Sequence, residues 1–304
     1  MHIAPLTTVP ANAATDVTPF GAAVAGIDLT TVPDINAMQA LANALYEHRL
    51  LLIKHQDLDV EQYYQFGRRW GDLSIHVSEF LRVPGYPEMM CIGNTEQKDR
   101  DPGVRNGAVH WHTDGSYKLP ATAITMLYAR KVPARGGHTL FCDMASAYDS
   151  LSESDQQLAE QSVASHLFGA GTDVDEHKPI DALDENSGVD PVKNSLVKRH
   201  PVTGRKALYG LGQSPYAIDG LSRDEALARI RYFKAHAVQP ANVYEHRYEF
   251  GDIMLIDCLA TMHKAMPSEV ATSPDADNAR IMWRLSTESL PEWINKAGST
   301  SALA

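Results

Sequence analysis

The chain has 304 residues, 44% of them hydrophobic and 21% charged, a composition that excludes a disordered chain and suits a soluble globular protein with a sizeable core. Its 27 basic and 38 acidic side chains leave a net charge of −11, which excludes a broad polyanion-binding face, so nucleic acid is not an expected partner. No run approaches the roughly 18 apolar residues of a membrane span, and Met1-His2-Ile3-Ala4-Pro5 lacks the basic and apolar regions of a signal peptide.

Residues 1–33 are rich in Ala, Thr, Pro and Val, and the alternation from Ala22 to Leu29 predicts a strand that closes onto the fold. From Asp34, the helical spacing of Ile35, Met38, Leu41 and Leu45 predicts an amphipathic helix ending near His48. Leu50-Leu51-Leu52-Ile53-Lys54 is short and almost continuously apolar, the pattern of a buried strand, and a second helix is expected from Val60 to Trp70. Between Gly71 and Val109 the pattern is irregular, with Pro84, Gly85, Pro87 and a polar run from Glu96 to Asn106, which reads as a functional loop. Ala123 to Val132 reads as a strand, Gly136-Gly137 as a turn and His138 to Cys142 as the next strand. Helices are expected from Ala145 to Leu151 and from Asp155 into Ser165. Residues 171–195 carry many carboxylates and few large apolar groups, a polar insertion read as a solvated loop or a lid. Ser222-Arg223-Asp224-Glu225 fits a capping box and opens a helix to about His236 through Leu227, Ile230 and Phe233. Strands at Val243 to Glu249, Ile253 to Asp257 and Ile281 to Thr287 close the chain.

Many short strands with helices gathered outside them predict one domain over 1–304, mainly β with flanking helices, around a sandwich or jelly-roll core. There is no internal repeat, Gly-x-Gly-x-x-Gly or P-loop, which removes the common nucleotide-binding readings. Cys91, Cys142 and Cys258 are widely separated and unsuited to a zinc site, which fits a reducing, cytoplasmic setting. The sequence leaves a homo-oligomer open.

His110-Trp111-His112-Thr113-Asp114 carries the chemistry. In an extended strand, residues i and i+2 point to one side, so His112 and Asp114 are expected to reach one cation as neighbouring ligands. A histidine from a distant strand would complete a two-His-one-carboxylate triad with open positions, the donor set of non-haem Fe(II) oxygenases. His263, 149 residues beyond Asp114 and just after an apolar strand, fits that place. Arg280 and Arg284, four apart in the last strand, would face one side and need anions, since a guanidinium stays charged and suits carboxylates. His110-x-His112-x-Asp114 also admits a metal-dependent hydrolase, although Gly115 stands where that motif has its last histidine. A non-catalytic jelly-roll binding protein is the remaining class. His48, His55, His166, His177 and His236 read as surface or packing residues.

The sequence resembles the taurine/2,4-dichlorophenoxyacetate dioxygenase (TauD/TfdA) family of Fe(II)- and 2-oxoglutarate-dependent oxygenases. The motifs that carry the resemblance run in order from about residue 19 to 288. They are Trp111-His112-Thr113-Asp114, Gly136-Gly137-His138-Thr139-Leu140-Phe141, Ala147-Tyr148-Asp149, His200-Pro201-Val202-Thr203-Gly204-Arg205-Lys206, Gly251-Asp252, His263, and Arg280 with Arg284.

The resemblance implies a double-stranded β-helix core of cupin type, and Fe(II) held by His112, Asp114 and His263 with 2-oxoglutarate and O2 as co-substrates. It implies that Thr139 and Arg280 hold the distal carboxylate of 2-oxoglutarate. Arg284 matches an arginine that meets the substrate anion beside that co-substrate, His76 a substrate-side histidine, and Asn94 a polar pocket residue. The implied reaction is hydroxylation or desaturation of a small, anionic organic substrate with release of succinate and CO2. Asp114 matters to that choice, because halogenating relatives put a small residue there. The family's Trp-Asp-Asn-Arg before the distal histidine is here Ile256-Asp257-Cys258-Leu259, and the spacing from His263 to Arg280 is long.

Overall fold

In the computed structural model, which describes residues 1–6, 19–76, 79–95, 109–168 and 190–295, strands β1 (His2–Pro5) and β2 (Ala22–Ala25) precede helix α1 (Ile35–His48) and strand β3 (Leu50–Ile53). Asp34 caps α1 by accepting from Ala37 N–H, and Arg49 closes it at φ 65° with its N–H turned back to Leu45 O. Helix α2 (Val60–Arg68) opens with a reciprocal Asp59–Gln62 capping box. Strands β4 (Arg82–Val83), β5 (Tyr86–Gly93), β6 (Ile124–Lys131) and β7 (Thr139–Asp143) follow, then helices α3 (Met144–Asp149) and α4 (Glu153–Glu160). Next come β8 (Val163–His166), β9 (Val192–Ser195), β10 (Val197–Arg199), β11 (Lys206–Leu208) and β12 (Pro215–Ile218). Helix α5 (Arg223–Ala237) leads to β13 (Val243–His246), β14 (Ile253–Asp257), β15 (Thr261–Ala265), β16 (Ile281–Thr287) and helix α6 (Glu292–Asn295).

The major sheet runs β1-β2-β3-β14-β6-β16-β5-β4, and a smaller one runs β13-β7-β15. Period-two alternation explains why the central strands of the major sheet read as continuous apolar runs. Leu51, Ile53, Ile253 and Leu255 face α1 and α2 in one core, while Leu50, Leu52, Met254 and Ile256 face inward to meet Phe141 of β7 in another. A third core packs α3, α4 and α5 on the far side of the smaller sheet. This is the jelly roll the strand pattern predicted. Its interior, between the sheets, is where the polar exceptions gather.

The structure corrects several local expectations. Tyr86–Gly93 is a strand within the stretch read as irregular; Pro87 hid it, but Pro87 lies outside the Met90–Gly93 segment paired with β16. The helix expected from Asp155 into Ser165 stops at Glu160, because Val163–His166 pairs with both β9 and β12. The strands from β9 to β12 were not anticipated, and Val192–Ser195 turns the end of the expected polar insertion into sheet. The rest of that insertion, and the polar run at 96–106, lie outside the described residues. Among the described residues no helix is long and apolar enough to cross a membrane.

Candidate active site

His263 lies on β15, paired with Phe141 of β7 on one side. On its other side it forms a single-residue antiparallel bridge with His112, the N–H of each donating to the other's carbonyl at 2.9 Å. That bridge sets the two imidazoles 4.2 Å apart between ring centroids. His112 and Asp114 therefore converge by a different route from the one expected. His112 is a lone bridge residue and Asp114 already belongs to the turn with Gly115, so strand alternation is not what joins them. Asp114 Oδ1 lies 3.7 Å from His112 Nε2 and Asp114 Oδ2 lies 3.9 Å from His263 Nε2. One donor atom from each of the three falls within 4.8 Å of the others.

The protonation of this cluster follows from its neighbours. His112 Nδ1 lies 2.8 Å from His110 O; a carbonyl only accepts, so Nδ1 carries a hydrogen and Nε2 is the nitrogen turned toward Asp114. Burial, with His112 and Arg284 beside it, lowers His263 to about 3 despite Asp114, so its ring is neutral. Burial alone would raise the Asp114 carboxyl, but Arg284, His263, His112 and the Thr125 hydrogen bond outweigh it and hold the group well below the usual carboxylate range. Asp114 is thus an anion, with Oδ2 taken by Arg284 NH2 at 3.0 Å and Thr125 Oγ1 at 2.7 Å.

Arg280 and Arg284 both turn toward the interior, but to different ends. Arg284 pairs with Asp114, and its NH1 lies 3.6 Å from Met90 Sδ. Arg280 precedes β16 and donates Nε–H to Gly137 O at 2.9 Å. A Cβ at Gly137, whose φ is 66°, would stand 2.9 Å from Arg280 Cδ, so the paired glycines let the arginine lie across the turn before Thr139. Thr139 Oγ1 is buried and meets only the Tyr248 hydroxyl among the described residues. His76 is half-buried, and burial followed by the Arg284 charge lowers it to about 4, which places it on the Arg284 side of the site. Asn94 is used differently. Its Nδ2 donates to Glu269 O and Asn278 O, and its Oδ1 accepts from Arg280 N–H at 2.6 Å, so no side-chain donor remains for a substrate.

A family model described as taurine catabolism dioxygenase TauD, TfdA family matches residues 13–286. The chain belongs to the TauD/TfdA family. Among its curated relatives, an (S)-phenoxypropionate/alpha-ketoglutarate-dioxygenase of Sphingobium herbicidovorans is 31% identical over 269 residues, 87% of this chain and 90% of that protein. An alpha-ketoglutarate-dependent 2,4-dichlorophenoxyacetate dioxygenase of Cupriavidus pinatubonensis is 30% identical over 279 residues, 86% of this chain and 94% of that protein. The crystal structure of AAD-2 in complex with Mn(II) and N-oxalylglycine is similar at a TM-score of 0.76 and 26% identity, covering 94% of this chain and 97% of that one.

Three residues of this TauD/TfdA member escaped the sequence reading. Thr125, on the inward face of β6, fixes Asp114 and is itself met by Ser286 Oγ at 3.0 Å and Cys258 Sγ at 3.5 Å. Gly212 has Trp111 O and His112 Cα within 2.2 and 2.5 Å of where a Cβ would stand, so a side chain there would displace the His112 bridge. Tyr248 brings a buried hydroxyl beside that of Thr139. Thr125 had a signal, a hydroxyl in an otherwise apolar strand. Gly212 had none that a single sequence reveals.

Proposed function

We propose that His112, Asp114 and His263 hold the Fe(II) of a 2-oxoglutarate-dependent dioxygenase that hydroxylates or desaturates a small organic anion. The family makes the chain a dioxygenase that uses Fe(II), 2-oxoglutarate and O2. The observation that supports the residue assignment is the convergence of two imidazole nitrogens and one carboxylate within 4.8 Å, with the His112 tautomer set by His110 O. That donor set fits Fe(II), since a facial triad of this composition leaves coordination positions for co-substrate and oxygen. Bound there, Fe(II) with 2-oxoglutarate and O2 supplies the oxidation of a substrate C–H bond, with succinate and CO2 as the other products.

The chain's own groups bind and orient. Phe141 stacks on His263 at 6.0 Å and, with Leu50, Leu127, Met254 and Met282, makes an apolar floor that keeps water from the cluster. Thr125 and Arg284 hold the Asp114 carboxylate in one orientation. Arg280 and Thr139 receive the far carboxylate of 2-oxoglutarate, because the guanidinium is buried and among the described residues has no carboxylate within 4.0 Å. On the other side, Tyr117 and Phe168 rings lie 4.9 Å apart and His76 6.5 Å from Phe168. An aromatic wall beside Arg284 suits a substrate with an apolar ring and one anionic head, the shape of the phenoxypropionate and 2,4-dichlorophenoxyacetate in the names of its relatives. Three cysteines without disulfides support a reducing, cytoplasmic setting.

The test is an anaerobic titration with Fe(II) and 2-oxoglutarate, followed by a screen of aryloxy carboxylates and sulfonates scored by succinate release. A charge-transfer band in the wild type, lost in His112→Ala, is expected; equal activity in that variant would sink the assignment. Arg284→Ala should raise the KM of the true substrate. Unchanged KM for both substrate and 2-oxoglutarate would refute the anion-binding role.

A further inference from the structure

Tyr248 follows β13 by two residues, and the segment that carries it is pinned on both sides. His246 Nδ1 meets Tyr244 Oη at 3.1 Å and His246 Nε2 meets Asp252 Oδ2 at 3.1 Å, while Glu249 N–H donates to the same carboxylate at 3.0 Å. The Tyr248 ring stands edge-on to His246 at 4.6 Å, and the Arg280 guanidinium carbon lies 5.9 Å from its centroid. Burial raises the phenol to about 12 against a hydrogen-bonding contact with the Thr139 hydroxyl and the nearby Arg280 charge, so the hydroxyl keeps its hydrogen at neutral pH.

The hydrogen-bond accounts of these three groups do not balance. Tyr248 Oη and Thr139 Oγ1 are both buried, and beyond each other neither meets a hydrogen-bonding group among the described residues. Arg280 is buried, its Nε is spent on Gly137 O, and no described carboxylate neutralises it. Buried hydroxyls are normally satisfied and buried charges normally paired, so exceptions gathered at one place call for an explanation. A carboxylate supplies it, because its two oxygens offer about four acceptor sites: a guanidinium fork uses two, and two hydroxyls use the others.

We propose that Tyr248 donates its phenolic hydrogen to the far carboxylate of 2-oxoglutarate, as a third donor beside Thr139 and Arg280. The inference rests on the reading of Thr139 and Arg280 given above. It makes Tyr248 a determinant of the co-substrate's length and charge.

The experiment loads the full-length protein with Fe(II) anaerobically and titrates the charge-transfer band with 2-oxoglutarate, then with 2-oxopentanoate, which keeps the chelating end and lacks the far carboxylate. Tyr248→Phe should weaken 2-oxoglutarate about tenfold, the effect of one hydrogen bond to a charged group, and leave 2-oxopentanoate within about twofold. Thermal unfolding of the ligand-free variant should stay close to wild type, since the hydroxyl removed meets only the Thr139 hydroxyl. In a Thr139→Val background, Tyr248→Phe should cost a further factor of about ten. Unchanged 2-oxoglutarate affinity, equal weakening of both keto acids, or silence in the Thr139→Val background would overturn the proposal, the last by showing that Tyr248 acts only through Thr139. If wild type gives no band with 2-oxoglutarate, the reading of the whole site fails, an outcome distinct from a wild-type band that Tyr248→Phe does not shift.

Discussion

The two ends of the site are finished to different degrees. At the proposed metal end, Asp114 has Arg284, Thr125 and two imidazoles around it, and the carboxylate and guanidinium balance in charge. At the proposed co-substrate end, Arg280, Thr139 and Tyr248 form a cluster of donors with no anion among the described residues. The first brings its donor atoms together with their charges already paired. The second holds a buried guanidinium with no described carboxylate beside it, a charge that the proposed co-substrate carboxylate would relieve.

This contrast can be broken most sharply at the triad. Asp114→Ala should abolish stoichiometric Fe(II) binding, checked by metal analysis after desalting. Succinate release should fall on the order of a thousandfold, as several kcal/mol of metal-assisted stabilisation disappear. A more discriminating pair replaces each arginine by methionine. Arg280→Met should weaken 2-oxoglutarate about a hundredfold, read by the charge-transfer titration, because it removes a charged bidentate donor. The ligand-free Tm should nevertheless hold or rise, since an unpaired buried charge goes with it. Arg284→Met should do the opposite to stability, lowering it by about 3 kcal/mol in urea unfolding, because it strands the Asp114 carboxylate. Equal effects on the two Tm values would erase the distinction between the ends.

Smaller effects sharpen it. Thr125→Val removes a hydrogen bond to the Asp114 oxygen shared with Arg284 and should weaken Fe(II) about tenfold, measured by competition with a chelator. For pH, burial followed by the Lys198 charge lowers His166 to about 3, and burial first holds His263 near the same value. Both lie below the ordinary value of about 6.5. The unfolded chain then binds protons that the native chain refuses, so stability of the metal-free protein should fall as pH drops below about 6.5. His166→Gln should make that fall shallower in urea midpoints between pH 7 and 5; an unchanged slope would remove His166 from the account. His166 lies on β8, fully buried against Ser116, apart from the triad, so the comparison isolates burial from metal ligation.

Local pattern determined a good part of this protein. The helices α1, α2 and α5 follow from spacing and caps, and the runs at Leu50–Ile53 and Ile253–Asp257 announce strands buried on both faces. His112, Asp114, His263, Thr139, Arg280 and Arg284 are legible as candidates, because their chemistry is rare in an apolar β context and their order matches the family. Tertiary structure decided the rest. Strand β5 was hidden by Pro87, and Val163–His166 became sheet because two neighbours pair with it. His112 and Asp114 meet through a single bridge and a turn, not through strand alternation. Asn94, which the sequence offered for a substrate, holds the backbone before β16 instead, because the Arg280 N–H and the Glu269 and Asn278 carbonyls lie within its reach. Which arginine is paired, which hydroxyls meet and which glycine admits a neighbouring backbone depend on distances between residues far apart in the chain, and no local pattern encodes those.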